Sequence, residues 1–237
     1  MSTDSPTRRE RLRSATVAEI KDLARRLLVA GGPPAISLRA IARDMGMTAP
    51  AIYRYFPSLD ALIKELTEDL YDELREAVEA GRDVGAPPDE QLADMVRAFR
   101  RWSVTHPAEF GLIFGNPVPG VTTFEDECLS PEHAGARFGA TFLVVFAELW
   151  PLAPWLTPPA EVITAQLGPV LQPQHAASGV DLPVQAVYAY LSAWIRLYGL
   201  VAMEVFGHLQ WAVTEVEPLF ELELAAFLAQ LRAGAPR

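Results

Sequence analysis

Residues 36–58 read Ile36-Ser37-Leu38-Arg39-Ala40-Ile41-Ala42-Arg43-Asp44-Met45-Gly46-Met47-Thr48-Ala49-Pro50-Ala51-Ile52-Tyr53-Arg54-Tyr55-Phe56-Pro57-Ser58. Ser37 is placed to cap a short helix whose apolar residues Leu38, Ile41, Ala42 and Met45 fall at i, i+3, i+4 and i+7. Gly46, the residue type that tolerates positive φ, ends it. Thr48 then caps a second helix, with Pro50 in the first turn, where a missing N–H costs nothing, and Pro57 closing it after Phe56. A short helix, a glycine-containing turn of about four residues and another short helix match the helix-turn-helix, whose second helix enters the DNA major groove.

Outward from this run the chain continues to read as helices. Before it, Val17, Ile20, Ala24, Leu27 and Leu28 form a helical stripe from Ser14 that Gly31-Gly32-Pro33-Pro34 stops. After it, Ser58 caps a long fourth helix carrying Leu59, Leu62, Ile63, Leu66, Leu70, Leu74 and Ala77 to about Ala80, with a break over 81–88. Leu92, Met95, Val96, Phe99 and Trp102 mark a fifth helix, and a sixth runs from Pro107 through Phe114. A turn-rich, acidic loop over 115–131 follows, then a seventh helix over about 132–150. An eighth is expected from Pro159 to Leu171, a ninth from Pro183 to about His208 and a tenth over 216–233 before Gly234. The expected fold is therefore all-α: a flexible basic arm over 1–13, a helix-turn-helix domain over 14–60, and a larger helical ligand-binding and dimerisation domain over 61–234.

The 237 residues suffice for a large core, and half of them are apolar. The formal charge of −10 would by itself disfavour a nucleic-acid partner. However, residues 1–64 hold eleven of the twenty Lys and Arg but only six of the thirty Asp and Glu. Such asymmetry points to an anion-binding module attached to an acidic body. Arg8, Arg9, Arg11 and Arg13 precede no apolar stretch of the kind a secretory signal needs, and apolar runs are interrupted by Glu148, Pro151, Arg196 or Glu204. No membrane span and a cytoplasmic location are expected. Cys128 is the single cysteine, so no intrachain disulfide can form. Glu125, Asp126 and Glu127 beside it oppose a reactive thiolate.

Within the motif the chemistry suits a duplex. Thr48 offers a hydroxyl at a helix start, while Ala49, Pro50 and Ala51 are small enough for close approach to base edges and thymine methyls. Tyr53 presents a phenol, Arg39 and Arg54 add charge, and the arginines before Ser14 can follow the backbone or reach a minor groove as an arm. The blander alternative is a plain helical hairpin with Tyr53 and Tyr55 in a core. The agreement of caps, turn glycine and local charge favours the DNA reading.

The 36–58 stretch strongly resembles the DNA-binding signature of the TetR (tetracycline-repressor) family of bacterial transcription regulators. The resemblance covers about residues 14–70. It implies Ser37, Arg39, Thr48, Tyr53 and Tyr55 near phosphates, and Ala49, Pro50 and Tyr53 nearest the bases. The chain departs from the usual pattern at Leu59, where family members carry lysine, at Pro50, commonly glycine, and at Tyr55, more often histidine. Further on, the Trp194 to His208 stretch, with Gly199, Glu204 and Gly207, resembles one ligand-domain subclass of that family, Tyr198 replacing its usual histidine. The segments Arg97–Trp102 and His106–Phe110 fit the same subclass.

In that family the last two helices pair across a two-fold axis. The apolar excess here around Leu191, Ile195, Leu200, Leu224 and Phe227, with Gly199 allowing close approach, favours a homodimer. Trp102, Phe110, Phe114, Phe138, Phe142, Phe146 and Trp150 are candidates to line an apolar effector pocket, although an aromatic stripe is more often core. Few Lys or Arg stand beyond residue 64, so the effector is expected to be apolar and neutral or cationic; Arg97, Arg100, Arg101 and Arg137 are the residues that would reverse this by pairing with a carboxylate. Glu204 and His208 share a helix face, more simply as an interface pair than as metal ligands. No metal site and no cofactor are expected, and neither a phosphate loop nor a nucleophile elbow nor an acid/base dyad is found. The function expected is a DNA-binding repressor, not an enzyme, released from a near-palindromic operator by a small effector. An all-α enzyme on an apolar substrate and a protein-interaction adaptor are the alternatives.

Overall fold

The computed structural model describes residues 7–115, 133–152, 157–169 and 182–232, and none of these lies in a β-strand. Ten α-helices are seen among them: α1 (Arg8–Gly31), α2 (Leu38–Asp44), α3 (Ala49–Ile52), α4 (Leu59–Gly81), α5 (Pro88–Thr105), α6 (Pro107–Phe114), α7 (Ala134–Leu149), α8 (Ala160–Leu167), α9 (Val184–Val205) and α10 (Glu217–Arg232). Single 3-10 turns stand at Pro33–Ala35 and Trp150–Leu152. Most of the expected loop over 115–131, Cys128, His175, the end of the eighth helix at Leu171 and the domain end at 234 lie outside the described residues.

The chain forms two compact units, residues 1–70 with 108–124, and residues 71–107 with 125–237. The division falls at Leu70, ten residues beyond the expected domain boundary, so that α4 contributes to both units. Most of α6 belongs with the first unit, although in sequence it follows α5 of the second.

In the first unit Ile20, Ala24 and Leu28 of α1 are buried together with Leu38 and Ile41 of α2, Ile52 of α3, Phe56, and Leu62, Ile63 and Leu66 of α4. The caps are local and legible. Ser37 Oγ accepts from the Ala40 amide (3.5 Å), Ser58 Oγ accepts from that of Ala61 (3.0 Å), and Gly46 sits at φ 65° between α2 and α3. Two expectations are corrected. The arm is not flexible over residues 8–13, because α1 begins at Arg8 under a complete capping box formed by Thr7 and Glu10. And α3 does not extend to Phe56: it ends at Ile52 and tightens into i to i+3 bonds, Arg54 to Ala51 (3.2 Å) and Tyr55 to Ile52 (2.9 Å). Pro57 restricts the residue before it and so shortens the helix. Thr48 is the N-cap by backbone position, but its side chain makes no capping bond.

In the second unit α5 is central, packing against α7, α9 and α10, with α8 against α9. Met95, Val96, Phe99, Phe138, Phe142, Val145, Phe146, Phe220 and Leu224 are buried there. Three arginine–carboxylate pairs tie it together: Arg97 to Glu221 (2.9 Å), Arg100 to Glu204 (2.7 Å) and Arg137 to Asp72 (2.8 Å). The expectation that no run is long and apolar enough to cross a membrane is also corrected, since Ala134–Leu152 and Val184–Val205 both meet that length and composition. Each buries one face among the helices of this unit, Phe138, Phe142 and Phe146 from α7 and Ala186, Val187 and Ala189 from α9.

Candidate nucleic-acid interface

The surface of the first unit is sorted by residue type. Ile52 and Phe56 anchor α3 and the turn after it, both essentially inaccessible, while Thr48, Ala49, Pro50, Tyr53 and Arg54 are exposed around them. Arg39 on α2 is exposed as well, and Ser37 is half-buried at its cap. Two apolar pins thus fix the short helix and leave its small residues, with the Tyr53 phenol and the Arg54 guanidinium after it, outward beside Arg39 of α2, an arrangement suited to close approach to base edges flanked by phosphates. The exposed Thr48 hydroxyl takes no part in the cap. Tyr55 differs from the rest of the set: it is half-buried, and the Arg13 guanidinium lies over its ring at 5.4 Å from the centroid.

Sequence reasoning missed the device that organises the N-terminal arginines. The Glu10 amide donates to Thr7 Oγ1 (3.3 Å) and the Thr7 amide donates to Glu10 Oε2 (2.7 Å). The signal was present as Thr7-x-x-Glu10, a capping box directly ahead of the helical stripe. Also unforeseen is the buried Glu109 of α6, whose Oε1 accepts from Arg25 Nε of α1 at 2.9 Å and so fastens α6 within the first unit.

The aromatic residues proposed to surround an effector do not share one place. A cavity of about 30 Å³ in the second unit is lined by apolar side chains, among them Val96 and Phe99 of α5, Phe142 and Phe146 of α7, Trp194 of α9 and Phe227 of α10. Of the seven candidates only Phe142 and Phe146 line it. Phe138 stands behind them at 5.5 Å from Phe142, Trp150 stacks on Phe146 at 6.4 Å, and Trp102 stacks on His106 at 4.9 Å while its indole N–H donates to Glu73 (3.0 Å). Phe110 and Phe114, 4.9 Å apart, belong to the first unit.

Of the four arginines that could have paired with an effector carboxylate, none lines the cavity and Arg97, Arg100 and Arg137 are bound to carboxylates, while Arg101 is exposed. Arg97 and Arg100 have their pKa values raised, chiefly by hydrogen bonds to Glu221 and Glu204 respectively, and the Arg137 bond holds the Asp72 carboxyl below its usual range. Glu204 faces Arg100, and among the described residues no group of three potential ligands could hold a metal ion.

The proposed dimer residues divide in the same way. Leu191 and Ile195 are exposed, Leu200 is half-buried, and a Cβ built on Gly199 meets nothing within 4 Å. Leu224 and Phe227, by contrast, are buried inside the protomer's own core, 0% and 5% exposed, and are not available to a partner. A large apolar residue of α10 that does point outward is Leu222, at 69% exposure.

Both units match known protein families. Residues 20–66 match the family model for bacterial regulatory proteins of the tetR family, and residues 92–227 match that for the tetracyclin repressor-like C-terminal domain. The chain is 41% identical over 204 residues to the HTH-type transcriptional regulators Rv1816 of Mycobacterium tuberculosis and Mb1846 of Mycobacterium bovis, covering 84% of this chain and 85% of each relative. The crystal structure of the regulatory protein SCO4313 superposes with a TM-score of 0.72 at 32% identity, covering 94% of this chain and all of that one.

Proposed function

Because the chain belongs to the TetR family and is a DNA-binding transcriptional regulator, we propose that it works as a homodimeric repressor that leaves a near-palindromic operator when a small apolar effector enters its second unit. The observation that carries the effector half is the cavity between α5, α7, α9 and α10, whose lining is apolar and aromatic and includes no charged residue. Such a site favours a neutral or cationic hydrophobic molecule over a carboxylate, because none of its lining residues is a cation that could pair with an acid.

The dimer half rests on the outward stripe Leu191, Ile195, Met203 and Phe206 at the α9 end, with Leu222 on α10. Exposed apolar residues repeating along a helix favour burial by a symmetric copy. The DNA contacts are assigned to Ser37, Arg39, Thr48, Ala49, Pro50, Tyr53 and Arg54. Two such helices in a dimer must sit about 34–36 Å apart to read successive major grooves, so an effector that binds one dimer shape better than another shifts the protein off DNA. We read the protein as a cytoplasmic regulator without catalytic turnover. The test is to follow a labelled duplex from the gene's own upstream region by fluorescence anisotropy while adding hydrophobic amines, neutral polycyclic aromatics and carboxylates in parallel. Release by members of the first two classes, with a matching rise in melting temperature, is the expected result; release by carboxylates alone contradicts the effector assignment.

A further inference from the structure

Helix α1 begins at Arg8, twelve residues before the segment that the family's DNA-binding model covers. The first two of those turns, residues 8–14, carry Arg8, Arg9, Arg11 and Arg13 against the one carboxylate of Glu10, and all five residues are exposed. Glu10 is committed to the cap: the hydrogen bond from the Thr7 backbone holds its carboxyl below the usual range. The helix is therefore ordered from its first turn by its own sequence.

Several of the chain's other cations are paired with carboxylates, while Arg26, Arg39, Arg54 and Arg101, like the first arginines of α1, have none among the described residues. Lys21 pairs with Asp69, Arg25 with Glu109, Arg97 with Glu221, Arg100 with Glu204 and Arg137 with Asp72. Among the described residues Arg8, Arg9 and Arg11 have no such carboxylate. Arg13 is turned onto the Tyr55 ring, which directly follows the exposed patch of α3, and Arg9 occupies the same helix face one turn earlier. Arg9 and Arg13 are thus held in fixed register with the DNA-reading element, while Arg8 and Arg11 stand on other sides of the same turns.

We propose that the first two turns of α1 form a rigid cationic rail that binds backbone phosphates of duplex DNA beside the contacts of α3, and that Tyr55 is a positioning residue for Arg13. This rests on the DNA interface assigned above around Arg39 and Tyr53. It replaces a mobile arm threading a minor groove with a helix that reads no bases, adding affinity and salt dependence without sequence preference.

The test measures binding of the full-length protein to a fluorescein-labelled, mixed-sequence duplex of roughly 30 base pairs across a salt series, where each neutralised phosphate contributes about 0.9 to the slope of log K against log salt. Substituting Arg8, Arg9 and Arg11 together by Gln, a comparable helix former, should make the slope shallower by up to about 0.9 for each phosphate that a protomer no longer neutralises. The corresponding triple Lys variant should retain it. Arg26→Gln, which removes one charge about 25 Å further along the same helix, should keep the wild-type slope. Tyr55→Leu should lose more slope than Tyr55→Phe, which preserves the ring face under Arg13.

An unchanged slope in the triple Gln variant, or an equal loss in Arg26→Gln, overturns the rail. Equal losses in the two Tyr55 variants overturn the positioning role. A flat wild-type slope that Arg39→Ala does not alter sinks instead the interface on which the rail depends.

Discussion

Arg100 and Glu204, 104 residues apart in sequence, meet through two hydrogen bonds of 2.7 Å, Nε to Oε2 and Nη2 to Oε1. Both side chains are mostly buried, and the Arg100 guanidinium also lies over the Phe220 ring at 5.0 Å. One arginine of α5 thereby gathers α9 and α10. Removing only the acid would leave a desolvated guanidinium, so Glu204→Ala should destabilise the fold by about 3 kcal/mol, whereas Arg100→Met with Glu204→Leu should recover most of that loss. Urea unfolding of the two variants checks it; equal losses would mean that packing rather than the uncompensated charge dominates.

Acid, rather than any change near neutral pH, should loosen the second unit. Asp72 and Glu221 have pKa values depressed in the folded chain, chiefly by hydrogen bonds from Arg137 and Arg97, so their stabilisation is present above the ordinary carboxylate values of 3.8 and 4.5 and is lost as pH falls below them. The pairs are partly exposed, so each contribution is modest and screened by salt. Melting temperature should be nearly level from pH 8 to pH 6 and fall below about pH 4, less steeply in an Asp72→Asn/Glu221→Gln double variant. An acid limb of unchanged steepness in that variant would assign the loss to other groups.

What is legible in the sequence is what depends on near neighbours. Ser37, Gly46 and Ser58 set helix ends through bonds spanning three or four residues, and the helix-turn-helix follows from them. The faces of α10 are not legible, because apolar residues lie on more than one side: Phe220, Leu224, Phe227 and Leu228 point inward while Leu222, Ala225 and Ala226 remain outside. Periodicity cannot choose between two apolar faces, and for that reason it assigns Leu224 and Phe227 to the wrong surface. Sequence order likewise puts Phe110 beside an effector, because α6 follows α5. Its unit is fixed by contacts such as Arg25 with Glu109, 84 residues apart, which no local pattern encodes.

For the dimer, the exposed stripe supplies a test that leaves the protomer's core alone. Ile195 is 68% exposed and Leu222 69%, so Ile195→Glu with Leu222→Glu should remove little internal packing while placing two desolvated charges per protomer in any symmetric interface. The double variant should sediment as a helical monomer and lose operator affinity, because the second recognition helix is no longer tethered. A native monomer, or a variant that stays dimeric, would contradict the α9–α10 pairing.

The cavity gives the last prediction. Its volume of about 30 Å³ is far below the ~300–1,000 Å³ of ligand pockets, so an effector can enter only by displacing walls such as Phe142, Phe146 and Trp194. That displacement is the means by which binding can favour one conformation over another. Ala193 lines the same space beside Trp194, and Ala193→Leu would insert three carbons where there is little room. Overpacking of this kind costs about 1–3 kcal/mol, and it should leave a protein that still binds operator DNA but is no longer released by compounds that release the wild type. Anisotropy titrations with each such compound measure this directly. If Ala193→Leu responds at wild-type concentrations, the effector acts outside this cavity and the ring cluster around Phe99 and Phe138 is only core.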